Sequence, residues 1–228
     1  TWVGINANGC DSTATLNLTI NHSDTSYTNI TACDSYTWND STYTQSGTYS
    51  TNVGSNNNYS MSFDATNEYT EFTDISLESE ATWSCWINPS SFGTGQSGQN
   101  HFLSKYTNSQ REFTLEIDNG IIKLNIRDDS SGQWHTASHS QVVTLNEWLY
   151  VTGTYDKNTS PSLKLYIDGI LVDTDNSYSG NIKNTTSPIT ASNPLFPFLG
   201  IVDEISVWEI ALSQSDIQQY MNCPPTGT

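Results

Sequence analysis

The sequence predicts an all-β fold, a sandwich or barrel, preceded by a small β-rich module. Three observations carry that prediction. Short runs of alternating polar and apolar residues recur along the chain at close spacing. Two of the joints between them, Asp118-Asn119-Gly120 and Asp168-Gly169, have the chemistry of tight hairpin turns, in which both central residues take positive φ. Thr, Ser and Asn abound, while seven Trp, twelve Tyr and seven Phe supply core volume to a chain that is only 35% hydrophobic. The length of 228 residues suffices for one large sandwich and a smaller unit.

The smaller unit is read as residues 1–55. A repeat marks it: Val3-Gly4-Ile5-Asn6-Ala7-Asn8 returns as Val53-Gly54-Ser55-Asn56-Asn57-Asn58. The first copy leads through Gly9-Cys10-Asp11 into an alternating stretch, Thr13–Ile20, that predicts a half-buried strand. Between the copies, Ala32–Trp38 and Tyr43–Tyr49 both alternate across Asn39-Asp40-Ser41, which predicts a hairpin. The abrupt start at Thr1-Trp2 reads as a piece cut from something longer.

The larger unit, 56–228, is a succession of strands. In order they are Tyr59–Phe63, Ala81–Ile87, His101–Tyr106, Phe113–Ile117, Ile121–Ile126, Trp134–Ser138, Trp148–Tyr155, Ser162–Ile167 and Glu204–Trp208. Ile170–Val172 follows Asp168-Gly169 as the return strand of a hairpin. One helix is predicted, Ser213–Tyr220, with Ser213 as its N-cap and Pro224-Pro225 beyond its end.

Charge narrows the function classes. The formal charge is −17, from 24 acidic and 7 basic residues, and every Lys and Arg lies between Lys105 and Lys183. Such a chain offers little to phosphate, which argues against nucleic acid and against anionic membrane surfaces. No apolar run reaches the ~20 residues of a membrane-spanning helix, and no signal peptide is recognisable. The four Cys form no Cys-x-x-Cys pair, so zinc is not expected. The carboxylates are chiefly a solvated surface, although hard oxygen ligands also suit Ca²⁺.

Several segments fall in an order that resembles a known family. They are Tyr59–Tyr69, Trp83–Pro89, Phe102–Lys105, Trp148–Asp156, Leu163–Gly169 and Ile201–Ser213. Together they resemble laminin G-like, pentraxin-type domains of the concanavalin A-like lectin/glucanase superfamily. The chain departs from that pattern at Ala65, where the family has Gly, at Tyr150, where it has His, and at Glu209-Ile210, where it has Asn-Arg. The resemblance implies a jelly-roll sandwich of two antiparallel sheets. It also implies a structural Ca²⁺ held by Asp64, Asn67 and Asp203 with backbone carbonyls, clamping the ends of the domain. Residues 1–55 resemble a fragment of the β repeats in large bacterial, Bacteroidetes-type cell-surface proteins. That resemblance and the composition place the chain outside the cell. In those repeats the Cys of one motif pairs with the Cys of the next Gly-Cys-Asp-Ser, but Ser60 stands where that partner would be. Cys33 is therefore free or bridges to Cys10 or elsewhere, and Cys85 either meets Cys223 or is a buried thiol.

A superfamily with glycanase members calls for a search for paired carboxylates. Glu116-Ile117-Asp118 begins the expected alternation, but Asn119-Gly120 turns the strand before a second Glu, which predicts a hairpin tip. Of His22, His101, His135 and His139, the pair at 135 and 139 would lie ~13 Å apart on one strand, too far for one metal. Trp83, Trp86, Trp148, Tyr166 and Trp208 are expected in the core, with Trp83 and Trp86 on opposite faces of their strand. Trp134 differs, because it follows the polar loop Asp128–Gln133. An aromatic ring beside polar side chains suits a sugar, so Tyr106, Arg111, Asp129, Trp134 and His135 are the expected ligand-binding residues. The expected function is a non-catalytic carbohydrate-binding or adhesive module. A structural or protein-interaction domain is the alternative, and a polysaccharide-degrading enzyme comes last.

Overall fold

A computed structural model describes residues 60–92 and 98–222 in full, and the backbone of four short strands before them. The chain divides into two compact units, Thr1–Val53 and Gly54–Thr228. In the first, β1 (Trp2–Ile5) pairs antiparallel with β2 (Asp11–Ala14), and β3 (Tyr36–Trp38) with β4 (Ser41–Tyr43). Tyr36 opposes Tyr43, so Asn39 and Asp40 alone connect β3 to β4 and Ser41 already belongs to the strand. The second copy of the repeat, His22, Cys10, Cys33 and Cys223 lie outside the described residues.

The second unit is all-β apart from one helix. Its strands are β5 (Met61–Phe63), β6 (Thr70–Phe72), β7 (Glu80–Ser91), β8 (Gln99–Tyr106), β9 (Arg111–Asp118) and β10 (Ile121–Arg127). They continue as β11 (Trp134–Val142), β12 (Leu149–Asp156), β13 (Leu163–Ile167), β14 (Ile170–Asp175), β15 (Ile189–Ala191) and β16 (Leu199–Trp208). Two six-stranded antiparallel sheets result, ordered β11-β10-β9-β8-β15-β6 and β14-β13-β12-β7-β16-β5. This is the expected sandwich. Strands β6 and β15 were not expected; at three residues each they are too short to show an alternation. The two predicted tight turns are present, with positive φ at Asn119 and Gly120 and at Asp168 and Gly169.

The core fills the space between the sheets. Trp83 on β7 stacks on Phe113 of β9 at 4.7 Å between ring centroids, joining one sheet to the other. Cys85, a free thiol on the same inner face, is buried, and desolvation pushes its pKa far up. Gly153 on β12 faces Leu124 on β10 so closely that a Cβ there would lie 2.7 Å from a Leu124 methyl. At the β11 edge the sheets are stitched by polar bonds. The backbone N–H groups of Thr136 and Ser138 donate to the carboxylates of Asp175 and Asp173 on β14, at 3.1 and 2.7 Å. Those bonds satisfy donors that an edge strand would otherwise present to another chain.

The helix α1 (Gln214–Asn222) begins at a reciprocal cap. The Asp216 N–H donates to Ser213 Oγ, and the Ser213 N–H to the Asp216 carboxylate. It covers the outer face of the second sheet, burying Ile217 and Leu212 against Tyr150 and Tyr166. Trp86 and Trp208 pack into this second cluster, Trp208 stacked on Tyr220 at 5.6 Å. Trp83 and Trp86 thus both find cover, one between the sheets and one beneath the helix. Trp148 corrects the expectation of a core residue. It lies just before β12 and is 44% exposed.

Candidate functional site

The outer face of the first sheet carries no helix among the described residues. What stands on it is set by two irregularities in the pairing of β8 with β9, one extra residue in each strand. Between His101 and Leu103 the register slips, so Phe102 and Leu103 both turn inward while His101 faces out opposite Glu116. Between Lys105 and Tyr106 it slips again, so Tyr106 opposes Arg111 instead of Glu112. His101, Ser104 and Tyr106 therefore share the outer face, and Arg111 joins them from β9.

On the far side, Trp134 opens β11 and opposes Arg127 of β10. The rings of Trp134 and Tyr106 are nearly parallel, 13° apart in tilt, with centroids 6.2 Å apart. The Arg111 guanidinium lies 5.0 Å from the centre of the Tyr106 ring, and that of Arg127 lies 5.9 Å from the centre of Trp134. His101 and Phe196 extend the cluster. They stack on each other at 4.4 Å, and both meet Tyr106 edge-on. Phe196 belongs to the loop Ser192–Phe198, which is tied down by the Asn100 amide on Pro197 O and the His101 N–H on Phe196 O.

Beneath the rings runs a hydrogen-bonded belt. Thr136 Oγ1 donates to Asn125, Asn125 to Thr114, and Thr114 to Glu116 Oε2, at 2.6, 2.8 and 3.1 Å. His101 Nε2 lies 2.9 Å from the same Glu116 oxygen, and Gln99 donates to the other. Glu116 is buried with both oxygens engaged, so it is not placed to act on a substrate. Asp118 holds Lys123 at the hairpin tip. The arrangement offers aromatic faces and guanidinium donors rather than a carboxylate pair across a cleft.

The loop ahead of Trp134 is organised from within. Burial alone would raise the Asp128 carboxyl, but bonds from Ser131 (side chain and N–H), His135 and the Gly132 N–H hold it far below the usual range. Arg127 Nε donates to Gly132 O at 2.9 Å. Gly132 has φ +69 and packs against the Arg127 guanidinium, so a larger residue there would be strained and would press on that side chain.

Of the five expected ligand residues, Tyr106, Arg111 and Trp134 come together. Asp129 is exposed in the loop, its N–H bonded to Asn181 O. His135 turns to the other face of β11, where it stacks on Tyr178 at 4.7 Å and touches Ser177 and Asp128. Period-two alternation separates it from Trp134. Arg127, Phe196 and His101 were not anticipated here. A loop aromatic between Pro194 and Pro197 was the only signal for Phe196, and nothing in the sequence announced the bulges between β8 and β9.

The expected Ca²⁺ ligands do not converge. Phe63 pairs with Gly200 and Met61 with Val202, so Asp64 and Asp203 leave opposite ends of the β5–β16 pair, roughly 13 Å apart. The Asp64 and Ala65 N–H groups close instead on the Glu68 carboxylate, lowering its pKa, and Asn67 is exposed. Asp203 accepts the Glu204 N–H beside an open depression with Trp86, Trp148 and Asn222. Among the described residues no group of three or more His, Cys, Asp or Glu gathers around one point. The three residues do not fit one calcium shell.

No curated protein matches the sequence. Solved structures do match in fold. The binding domain of Paraclostridial Mosquitocidal Protein 1 aligns with a TM-score of 0.53 at 18% identity, over 70% of this chain and 42% of that one. A Bacteroides ovatus protein inferred to bind carbohydrate aligns at 0.54 and 16%, over 69% and 44%. The botulinum neurotoxin serotype D ligand binding domain, solved with N-acetylneuraminic acid, aligns at 0.53 and 18%, over 68% and 39%. The chain thus spans about two fifths of the length of these proteins. Residues 64–218 match the family model Laminin_G_3, and on that match and this sandwich the chain belongs to the Concanavalin A-like lectin/glucanases superfamily.

Proposed function

We propose that the sandwich is a non-catalytic carbohydrate-binding or adhesive module, and that its saccharide lies over Tyr106 and Trp134. One observation carries this reading. An indole 36% exposed stands nearly parallel to a phenol ring on a sheet face that no helix covers among the described residues. The C–H face of a sugar stacks on such rings, and nearby polar donors fix its orientation. Rings already held by Arg111, Arg127, His101 and Phe196 lose little freedom on binding, which favours affinity. Two of the proteins similar in fold are described as sugar binders, which makes saccharides the ligand class to try first.

The extracellular setting belongs to this proposal. It is supported by the acidic, Thr- and Asn-rich composition and by the resemblance of residues 1–55 to bacterial surface repeats. Calcium is left out of it, because Asp64, Asn67 and Asp203 sit apart. The test is a polysaccharide panel with wild type and Trp134→Ala. Binding lost in the variant, with an unchanged melting temperature, supports the reading. Wild-type protein that binds no polysaccharide refutes it and turns attention to the protein-interaction alternative.

A further inference from the structure

The register of four strands sets out one row on the outer face. Tyr106 on β8 opposes Arg111 on β9, and Trp134 on β11 opposes Arg127 on β10. Because Ile126 pairs with Phe113, Arg127 falls opposite Glu112, one step from Arg111. The row therefore reads Tyr106, Arg111 beside the buried Glu112, Arg127 and Trp134. These are the only two arginines in a chain of 24 acidic and 7 basic residues. Neither has a carboxylate within ion-pair distance among the described residues, although Lys105 and Lys123 both do. The polar contacts of the two guanidiniums are backbone carbonyls, Asn108 O for Arg111 and Gly132 O for Arg127.

Two like charges on neighbouring strands repel each other. The carboxylate nearest in register, that of Glu112, is turned to Lys105 and the Thr185 N–H instead. Contact with Tyr106 and Trp134 and one carbonyl bond each hold the guanidiniums in place, and the remaining N–H groups of each fork are left for a ligand. That geometry is complementary to a planar or tetrahedral anion.

We infer that the ligand of this face is an acidic saccharide, its ring against Tyr106 and Trp134 and its carboxylate or sulfate on Arg111 and Arg127. The inference rests on the saccharide reading of the same face. The overall charge of −17 does not oppose it at short range. At physiological ionic strength, charges beyond about 8 Å are largely screened, and the arginines are the charges in contact.

The experiment is affinity electrophoresis of the full chain in gels containing a neutral polymer (galactomannan), a carboxylated one (alginate or polygalacturonate) or a sulfated one (dextran sulfate). Carboxyl-reduced polygalacturonate serves as a matched neutral control. Binding to a carboxylated or sulfated polymer, weakened by added salt, is expected, and the arm that binds identifies the anion. Arg111→Gln and Arg127→Gln should each weaken it by roughly tenfold, the loss of one charge-assisted pair. Arg111→Gln leaves the Gly132 loop untouched, so it separates ligand loss from loop damage. Equal binding to neutral polymer, or acidic binding unchanged in both variants, overturns the inference while the saccharide reading stands. Failure to bind any polymer overturns both.

Discussion

Trp134 owes its place to Asp128. The Asp128 carboxylate gathers Ser131, Gly132 and Gln133 N–H groups into one turn, and Gly132 then seats the Arg127 side chain beside the indole. Two outcomes follow at this scale. Gly132→Ala forces a side chain into positive φ against Arg127, so it should weaken polysaccharide binding, read by affinity electrophoresis, and lower the melting temperature by a few degrees, about 1 kcal/mol. Asp128→Asn should lower stability at neutral pH. Its folded pKa is depressed, so the contribution is complete above the unfolded value near 4 and is lost as pH falls through the folded one. Melting curves of wild type and variant should thus differ by a constant amount from pH 7 to about 5 and converge below about 4. The sequence showed Trp134 through its polar, Gly-containing approach, and Tyr106 and Arg111 through a strand and its partner. It also presented Asp128 as one more loop acid, because burial and six converging hydrogen bonds are invisible in one dimension.

At the scale of elements, the two faces of the sandwich are treated differently. Helix α1 seals the second sheet, with Ile217 1% exposed against Tyr150, Tyr166 and Leu212. Ile217→Ala should therefore cost about 2–4 kcal/mol in denaturant unfolding without changing affinity for a saccharide on the opposite sheet. Gly153→Ala tests the contact between sheets. The added methyl meets Leu124 inside the core, and an overpacking cost of about 1–3 kcal/mol is expected in the same assay. The long strands, both tight turns and the capped helix were legible because alternation, Asp-Gly chemistry and Ser213 are local signals. The bulges between β8 and β9 were not. A plain alternation from His101 to Tyr106 would put them on opposite faces, whereas both stand outward with rings 5.1 Å apart. Trp148, counted as core from the family pattern, precedes β12 and stays in solvent.

For the whole molecule, the fold was readable from its family motifs, and the metal carried with them was not supported by their arrangement. Phe63, Gly200 and Val202 pair in a register that separates Asp64 from Asp203. The melting temperature should consequently be the same in millimolar calcium and in chelator; a rise of several degrees with calcium would show a shell built from other oxygens. What distinguishes this sandwich is one sheet face that no helix covers among the described residues, with both arginines and an exposed indole upon it, in an otherwise acidic chain. The measurement that tests this most directly is the affinity of wild type and Trp134→Ala for a polysaccharide panel, each protein shown folded by its melting curve. The account predicts binding by wild type and a loss of roughly 5- to 150-fold in the variant, the effect of removing one stacking ring of about 1–3 kcal/mol. A variant that binds as tightly as wild type would contradict it.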